Sequence, residues 1–469
     1  MSTLPHGKNP HGAHEGGPVV PTGKMHTVGP DELFFSVTDR KGVIEQANTV
    51  FARISGYPRA RLMGSPHNIV RHPDMPAGVF RIMWDRLLDN QSMAGYTLNL
   101  TGNGEGYWVF ATIIPVGDKL LSVRQAPCAI PLWEAAKSLY EQVLPIEREA
   151  GRAGANRSRA AEICAAALIE KLREQGFPTY TDFANYALPA EVAARIRISP
   201  QAHRRPHITG GLGNLLAAVD RINAQLYALM GRLDDLGELA DALATASQEA
   251  VSAINGLREA TAMALRASES VAGSAPVLAR TAAGMSARSD EVADTLSTVI
   301  EELQQVRRHL LDLRFRISLT RLHNDAVTMF ILEVASGDAP PEGLTYIPLL
   351  SQALQEDVGA MTHAMAVNSQ TLIALSANVD QGAEQLRELQ RAIATWRLLV
   401  PRLRLSRQLD PFVAPIDRQL HHGHAQMAGL RQTASRCIKA STPFDPAEIT
   451  WAITQVREVS SSLMGAALA

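Results

Sequence analysis

The run Pro66-His67-Asn68-Ile69-Val70-Arg71-His72-Pro73-Asp74-Met75-Pro76 sets a guanidinium, two imidazoles, an amide and a carboxylate in a stretch that prolines stiffen. Two kinds of chemistry suit that set. The groups can satisfy one another, with Asp74 capping a helix that starts near Pro76 and Arg71 pairing with a carboxylate. Alternatively they form a polar lid over an apolar pocket, with Arg71 and His72 turned to a phosphate, a carboxylate or a polarisable ring. The residue types alone weigh the two about equally.

Elsewhere the chain carries little that could do chemistry. It holds no phosphate loop, no His-Glu-two residues-His helix and no Gly-x-Ser-x-Gly elbow. Gly210-Gly211-Leu212-Gly213 reads as the start of a helix. His421-His422-Gly423-His424 lacks cysteine or carboxylate ligands at fixed offsets and reads as a surface turn rather than a metal site. Cys128, Cys164 and Cys437 are far apart and odd in number, which fits buried reduced thiols. No catalytic or metal-binding residue is assigned, and the expectation is that the chain is not an enzyme.

The elements around the polar run follow from periodicity and turn residues. Phe34 to Thr38 and Val43 to Ala47 read as a hairpin about Asp39-Arg40-Lys41-Gly42. Three short helices follow, Thr49 to Ser55, Pro58 to Met63 and Ala77 to Leu88, the last with Phe80, Met83, Trp84 and Leu87 on one face. Met93 to Leu100, Tyr107 to Ile114 and Leu120 to Gln125 read as three closing strands.

This stretch from Phe34 to Pro115 resembles the PAS sensory domain of bacterial aerotaxis receptors. The resemblance rests on Gln46-Ala47-Asn48-Thr49-Val50-Phe51, Ser55-Gly56-Tyr57, the whole Pro66 to Pro76 run, Met83-Trp84, Asn103-Gly104 and Tyr107-Trp108-Val109. It implies a five-stranded antiparallel sheet with helices over one face, FAD between them, and a redox or oxygen signal. Carried onto matching positions, it implies flavin contacts at Asn48, Arg71, His72, Asp74, Phe80, Trp84 and Asn99. The alternatives are haem b, with His67 or His72 as axial ligand, and a ligand-free PAS interaction scaffold. Met93 and Gly106 depart from the family's pattern.

The rest reads as helix. Leu215 to Leu243 and Val292 to Ile317 hold alternating four-and-three apolar seams, and a third runs from Leu354 to Leu403, failing at Asn368 and Gly382. Gly273-Ser274-Ala275-Pro276 should interrupt the first pair, and the loop Gly337 to Gly343 should turn the chain into an antiparallel hairpin, two hairpins making a four-helix bundle. Aromatic residues match this division, ten falling between Phe34 and Phe110 and three between Gly211 and Ala335.

The expected fold class is therefore an α+β PAS domain followed by an all-α coiled-coil or helical-bundle region. The expected domains are a disordered tail at 1–28, the PAS domain at 29–128, a helical connector at 129–210, long helices at 211–336, a breaker loop at 337–343 and return helices at 344–469. The seams suggest a homodimer. The resemblance implies a downstream signalling partner of the chemotaxis type, although the hairpin tip of chemotaxis transducers has no counterpart here. A net charge of −2 gives no field for nucleic acid, no apolar run is long enough to span a membrane, and a cytoplasmic protein is expected.

Overall fold

The computed structural model describes residues 19–198, 208–337, 344–345, 347–441 and 444–468. Strands β1 (Phe34–Asp39), β2 (Ile44–Ala47), β3 (Met93–Leu100), β4 (Gly106–Val116) and β5 (Lys119–Gln125) form one antiparallel sheet in the order β2-β1-β5-β4-β3. Gly42 at φ +82° and Gly117 at φ +57° turn the β1–β2 and β4–β5 hairpins, a backbone region that side chains with a Cβ resist. Between β2 and β3 lie α1 (Thr49–Ser55), α2 (Arg59–Leu62), a 3-10 turn (His67–Val70) and α3 (Ala77–Leu88). α1 starts where Asn48 Oδ1 accepts the Phe51 N–H and stops at Gly56, φ +69°. Its Val50, Phe51 and Ile54 bury against Phe34, Tyr107, Val109 and Ala111 of the sheet, with Leu62 and Val70 closing the same core. The expected five-stranded sheet with short helices, followed by a long helical region, is what the chain forms.

Residues 130–198, expected as a connector, are three helices packed on this unit: α4 (Ile130–Arg152), α5 (Arg157–Glu174) and α6 (Tyr180–Ile198). Trp108 stacks on Tyr140 at 6.1 Å, and the Tyr140 hydroxyl donates to the Tyr96 carbonyl at 3.0 Å. From α6 the fully buried Glu191 accepts the Tyr96 hydroxyl at 2.6 Å and the N–H groups of Cys128 and Ala129 at 2.7 and 3.1 Å. Burial raises the pKa of this carboxyl, against those hydrogen bonds. α5 crosses α3 at Gly78, where a Cβ would lie 2.5 Å from the Ala165 nitrogen.

Part of the expected tail is ordered. Thr22 N–H donates to Gly104 O at 2.8 Å, and Gly106 N–H donates to Lys24 O at 2.8 Å. Gly106, which breaks the family pattern, has Met25 against it: a Cβ there would sit 2.9 Å from the Met25 sulfur. The first part of the expected disordered tail, residues 1–18, lies outside the described residues.

The remaining helices are α7 (Gly210–Glu269), α8 (Pro276–Ser336), α9 (Ile347–Arg402), α10 (Ser406–Ala440) and α11 (Ala447–Leu468). The chain divides into two compact units, one comprising the residues up to Tyr227, Arg314–Met361 and Pro446 onward, the other Ala228–Leu313 and Thr362–Asp445. In the second unit α7 meets α8 through Thr261 and Ser289 at 3.0 Å, α8 meets α9 through Thr295 and Gln385 at 2.8 Å, and α9 meets α10 through Asp380 and Arg431 at 2.6 Å. Sequence-adjacent helices run antiparallel, so this unit is a four-helix bundle. The helix break falls at residues 270–275 as expected, whereas 338–343 lie outside the described residues. His421, His422 and His424, expected in a surface turn, lie within α10.

Nearly all the seam positions are buried inside the chain, Leu236, Val299 and Leu386 among them, so the seams that suggested a homodimer have partners without one. Gly382 leaves room for Met427, Thr295 and Leu296. Asn368 is buried with its Oδ1 unpartnered. No helix among the described residues is long and apolar enough to cross a membrane.

Two stability measurements check this packing. Gly78→Ala should lower the unfolding free energy by about 1–3 kcal/mol through overpacking at the α3–α5 crossing, whereas Gly151→Ala, with open space around it, should not. Asn368→Leu should stabilise the bundle by about 1–3 kcal/mol, the desolvation cost of an unmatched amide. Denaturant midpoints decide both.

Candidate functional site

The Pro66–Pro76 run is a strap bonded to both free edges of the sheet. At one edge Pro66 bridges Val43, Ile44 N–H donates to Ser65 O at 2.9 Å, and His67 N–H donates to Gly42 O at 2.8 Å. At the other edge Arg71 bridges Asn99, and Leu98 N–H reaches the Met75 sulfur at 3.4 Å. Each attachment covers edge groups that would otherwise face solvent or another strand.

Between those attachments His67 reaches the central strand. Its ring stacks on Phe51 at 5.7 Å and 11°, and its Nε2 lies 2.7 Å from Arg124 Nη2 on β5. A guanidinium can only donate, so Nε2 accepts and the imidazole proton sits on Nδ1. Arg124 Nη1 donates to Ser36 Oγ on β1 at 3.2 Å, and the guanidinium lies over the Phe51 ring at 5.3 Å. Arg124 is 4% exposed, and burial lowers its pKa to about 10, which leaves it charged at neutral pH. Burial first, then the Arg124 charge, push His67 well below its ordinary pKa. On the same face the Tyr107 hydroxyl is buried without a hydrogen-bond partner, and burial raises its pKa.

Of the residues expected to contact a flavin, the structure joins Arg71, His72, Phe80 and Asn99. Arg71 lies 4.3 Å over the Phe80 ring and donates to Met75 O at 3.1 Å, and the carboxylate whose charge acts on it is Glu147 of α4. His72 Nδ1 accepts the Asp74 N–H at 3.1 Å. Asp74 does not cap α3: its carboxylate pairs with Arg148 at 2.6 Å, and Glu147 of α4 takes the Ala77 N–H at 2.7 Å. That arrangement needs α4, which sequence reading placed in a connector. Trp84 lies against Gly42 at the β1–β2 turn. Asn48 is occupied structurally. Its Oδ1 accepts from Phe35 and Phe51 N–H, and its Nδ2 donates to Leu33 O and Glu333 Oε1.

The missed residues are Ser36 and Arg124, the partners on the sheet for the His67 of the polar run. A signal existed. In Leu120-Leu121-Ser122-Val123-Arg124-Gln125 alternation puts Arg124 on the face of Leu120 and Ser122, and a charged side chain on the inner face of a central strand calls for a partner. All three cysteines are buried, and burial raises Cys128 to about 11, Cys164 to about 12 and Cys437 to about 11, the condition of unreactive thiols. Among the described residues no group of His, Cys, Asp and Glu is arranged to hold a metal ion.

Residues 34–126 match the family model of the PAS fold, and they are a PAS domain. The aerotaxis receptor of Escherichia coli (strain K12) is 42% identical over 86 residues, 18% of this chain and 17% of that one. The nitrogen fixation regulatory protein of Klebsiella pneumoniae is 32% identical over 81 residues, 17% of this chain and 16% of that one. The chain thus matches under a fifth of the length of these curated relatives. Among solved structures, the Rhodobacter sphaeroides LOV protein is similar over 31% of this chain and 89% of that chain, at 18% identity and a TM-score of 0.20.

The neutral His67 links stability to pH. Its folded pKa is depressed, so below the ordinary value of 6.5 the unfolded chain takes a proton that the folded chain refuses. Stability should fall as pH drops from 6.5 toward that lower value, and His67→Gln should flatten the fall. His72, lowered by burial, contributes a remainder of the same sign. Melting temperatures of both proteins between about pH 8 and 5 test this.

Proposed function

We propose that the PAS domain holds FAD between its sheet and the strap, and that redox or oxygen-dependent change in the flavin is passed to the helices as a shift in packing. The observation that carries the reading is the strap itself. It holds Arg71, His72, Phe80 and Asn99 together at one edge of the sheet and His67 over Arg124 at its centre. The residue types suit a ring with a polar edge and an apolar body: Arg124 and Tyr107 carry donors, and Phe51 and Phe34, stacked on each other, make the neighbouring core apolar. The flavin supplies the electron-accepting chemistry when bound, and the chain's residues bind it, orient it and set the charge around it. The similarity to a protein named aerotaxis receptor supports the same reading.

A haem reading has less support from these residues. His67 Nε2 is taken by Arg124, and His72 Nδ1 by the Asp74 N–H. A ligand-free scaffold leaves the buried Tyr107 hydroxyl without a partner.

The route outward runs through β1 and α1 to α8. Ser36 touches Arg124 on one face of β1, and its neighbour Phe35 packs edge-on against Phe330 of α8 at 4.5 Å on the other. Asn48 and Thr49, at the start of α1, bond the Glu333 carboxylate of α8 at 3.5 and 3.0 Å. Arg195 of α6 ties Pro30 O to Asp325 of α8 through a buried ion pair at 3.0 Å. In this reading a displacement of β1 is felt at α8 through these contacts and acts as a population shift without catalysis. The protein in this reading is a cytoplasmic, non-enzymatic signalling protein whose helices meet a downstream partner. A second copy is not required, because the apolar seams are filled within the chain.

Protein purified without added cofactor should show an oxidised-flavin absorption spectrum that bleaches with a chemical reductant. Hydrogen exchange within residues 318–336 should differ between the two states, and Glu333→Ala should abolish that difference while leaving the spectrum intact. A colourless protein that takes up no FAD on reconstitution would overturn the reading.

A further inference from the structure

Glu191 of α6 is a fully buried acid whose hydrogen-bond neighbours are all donors. Its Oε1 accepts the Tyr96 hydroxyl at 2.6 Å and the Ala129 N–H at 3.1 Å. Its Oε2 accepts the Cys128 N–H at 2.7 Å and an Nε2–H of Gln125 at 3.3 Å. Four donors suit a carboxylate, yet the fully buried Gln125 also carries an Oε1 without a hydrogen-bond partner. An amide turned by half a turn exchanges nitrogen for oxygen at the same place, which would set that orphan acceptor against Glu191 Oε2. The ionised acid has no use for such an acceptor, and the protonated acid requires one.

We infer that Glu191 and Gln125 form a proton latch at the joint between the sheet and α4. With the acid ionised, Gln125 donates and both joint amides are held. When Oε2 takes a proton from solvent, the Gln125 amide turns and its Oε1 accepts that proton. The Cys128 N–H is then left with a hydroxyl oxygen, a weaker acceptor than a carboxylate. The latch does not depend on what the PAS domain binds. Its helix also reaches further, because Arg195, one turn along α6, donates to Pro30 O at 3.1 Å and pairs with Asp325 of α8 at 3.0 Å. Two side chains four residues apart thus hold the chain entering β1, the chain leaving β5, and α8.

The titratable groups facing Glu191 are Tyr96 of β3, with Tyr140 of α4 close to it, and Cys128 of the joint. Burial raises both tyrosines and lifts Cys128 to about 11, so all three keep their protons through neutral pH. Of the charged groups nearby, Arg195 is paired with Asp325, and Asp31, ahead of β1, acts on Cys128. Burial raises Glu191 above the ordinary 4.5, so as pH falls the folded chain takes up this proton before the unfolded chain does. That adds stability toward acid pH, opposite in sign to His67, and a melting curve alone would mix the two.

The test uses the full-length chain between about pH 8 and 5 and compares wild type with Glu191→Gln and Gln125→Met. On acidification the wild-type infrared difference spectrum should gain a protonated-carboxyl band that Glu191→Gln lacks, with a midpoint above 4.5. Protection from hydrogen exchange across residues 126–130, corrected for the intrinsic rate, should fall about tenfold with the same midpoint. Glu191→Gln should hold the acid-state protection at every pH. Gln125→Met should move the midpoint down, because the neutral acid loses its acceptor. A midpoint that stays or rises shows Gln125 acting only as a donor to the carboxylate, and overturns the latch. A wild-type spectrum without the band, or protection that does not follow it, overturns it as well. Should Glu191→Gln not fold, the direction of the shift in Gln125→Met decides.

Discussion

The desolvated guanidinium of Arg124 is the constraint around which the sheet domain is arranged. A charge on the central strand must be met from both sides, and the chain does so with neutral groups: Ser36 from β1, the imidazole of His67 from the strap and the ring of Phe51 from α1. Each of those groups then needs its own support. His67 is held by its backbone bond to Gly42, and Phe51 by stacking on Phe34 at 5.7 Å. The strap's position serves that requirement, since its anchors at both sheet edges let the 3-10 turn that begins at His67 carry an imidazole to the middle strand.

The same elements serve stability and communication. Asn48 caps α1, ties β1 to the chain before it and reaches Glu333, so the residue that fixes the helix start also couples it to α8. Such double use engages both ends of the Asn48 amide, the side chain matched to a flavin contact by resemblance. An amide whose oxygen already accepts two backbone N–H groups has little left for a ligand.

How much of this could be read from sequence depended on the range of the interaction. The strands, α1 and the long seams follow from local periodicity and glycine turns, and their boundaries fall within a few residues of the expected ones. The polar run was recognisable as unusual, but its attachments were not, because Val43 and Asn99 lie far from it in sequence and become its neighbours only when the sheet forms. Asp74 illustrates the limit. Local pattern makes it a helix cap, and Arg148 and Glu147 of α4, more than seventy residues on, take the two halves of that role away from it. α4 to α6 were the least legible elements, since amphipathic helices covering a sheet look the same in sequence as helices joining two domains.

The seams show a complementary ambiguity. A heptad pattern specifies that an apolar stripe must be covered, not by which chain. Here Trp396 of α9 is fully buried with its Nε1 bonded to Ser268 of α7 at 3.2 Å, and Gly382 and Gly423 admit neighbouring helices of the same bundle. Positions that look like failures of the seam, a glycine or a buried serine, are thus where helices of unlike sequence fit each other. A homodimeric coiled coil pairs each seam residue with its own copy, whereas Gly382 is complemented by Met427 and Thr295. Complementarity between unlike residues is the mark of helices of unlike sequence packed within one chain, and it is this mutual fit, not the heptad pattern alone, that selects which stripe covers which.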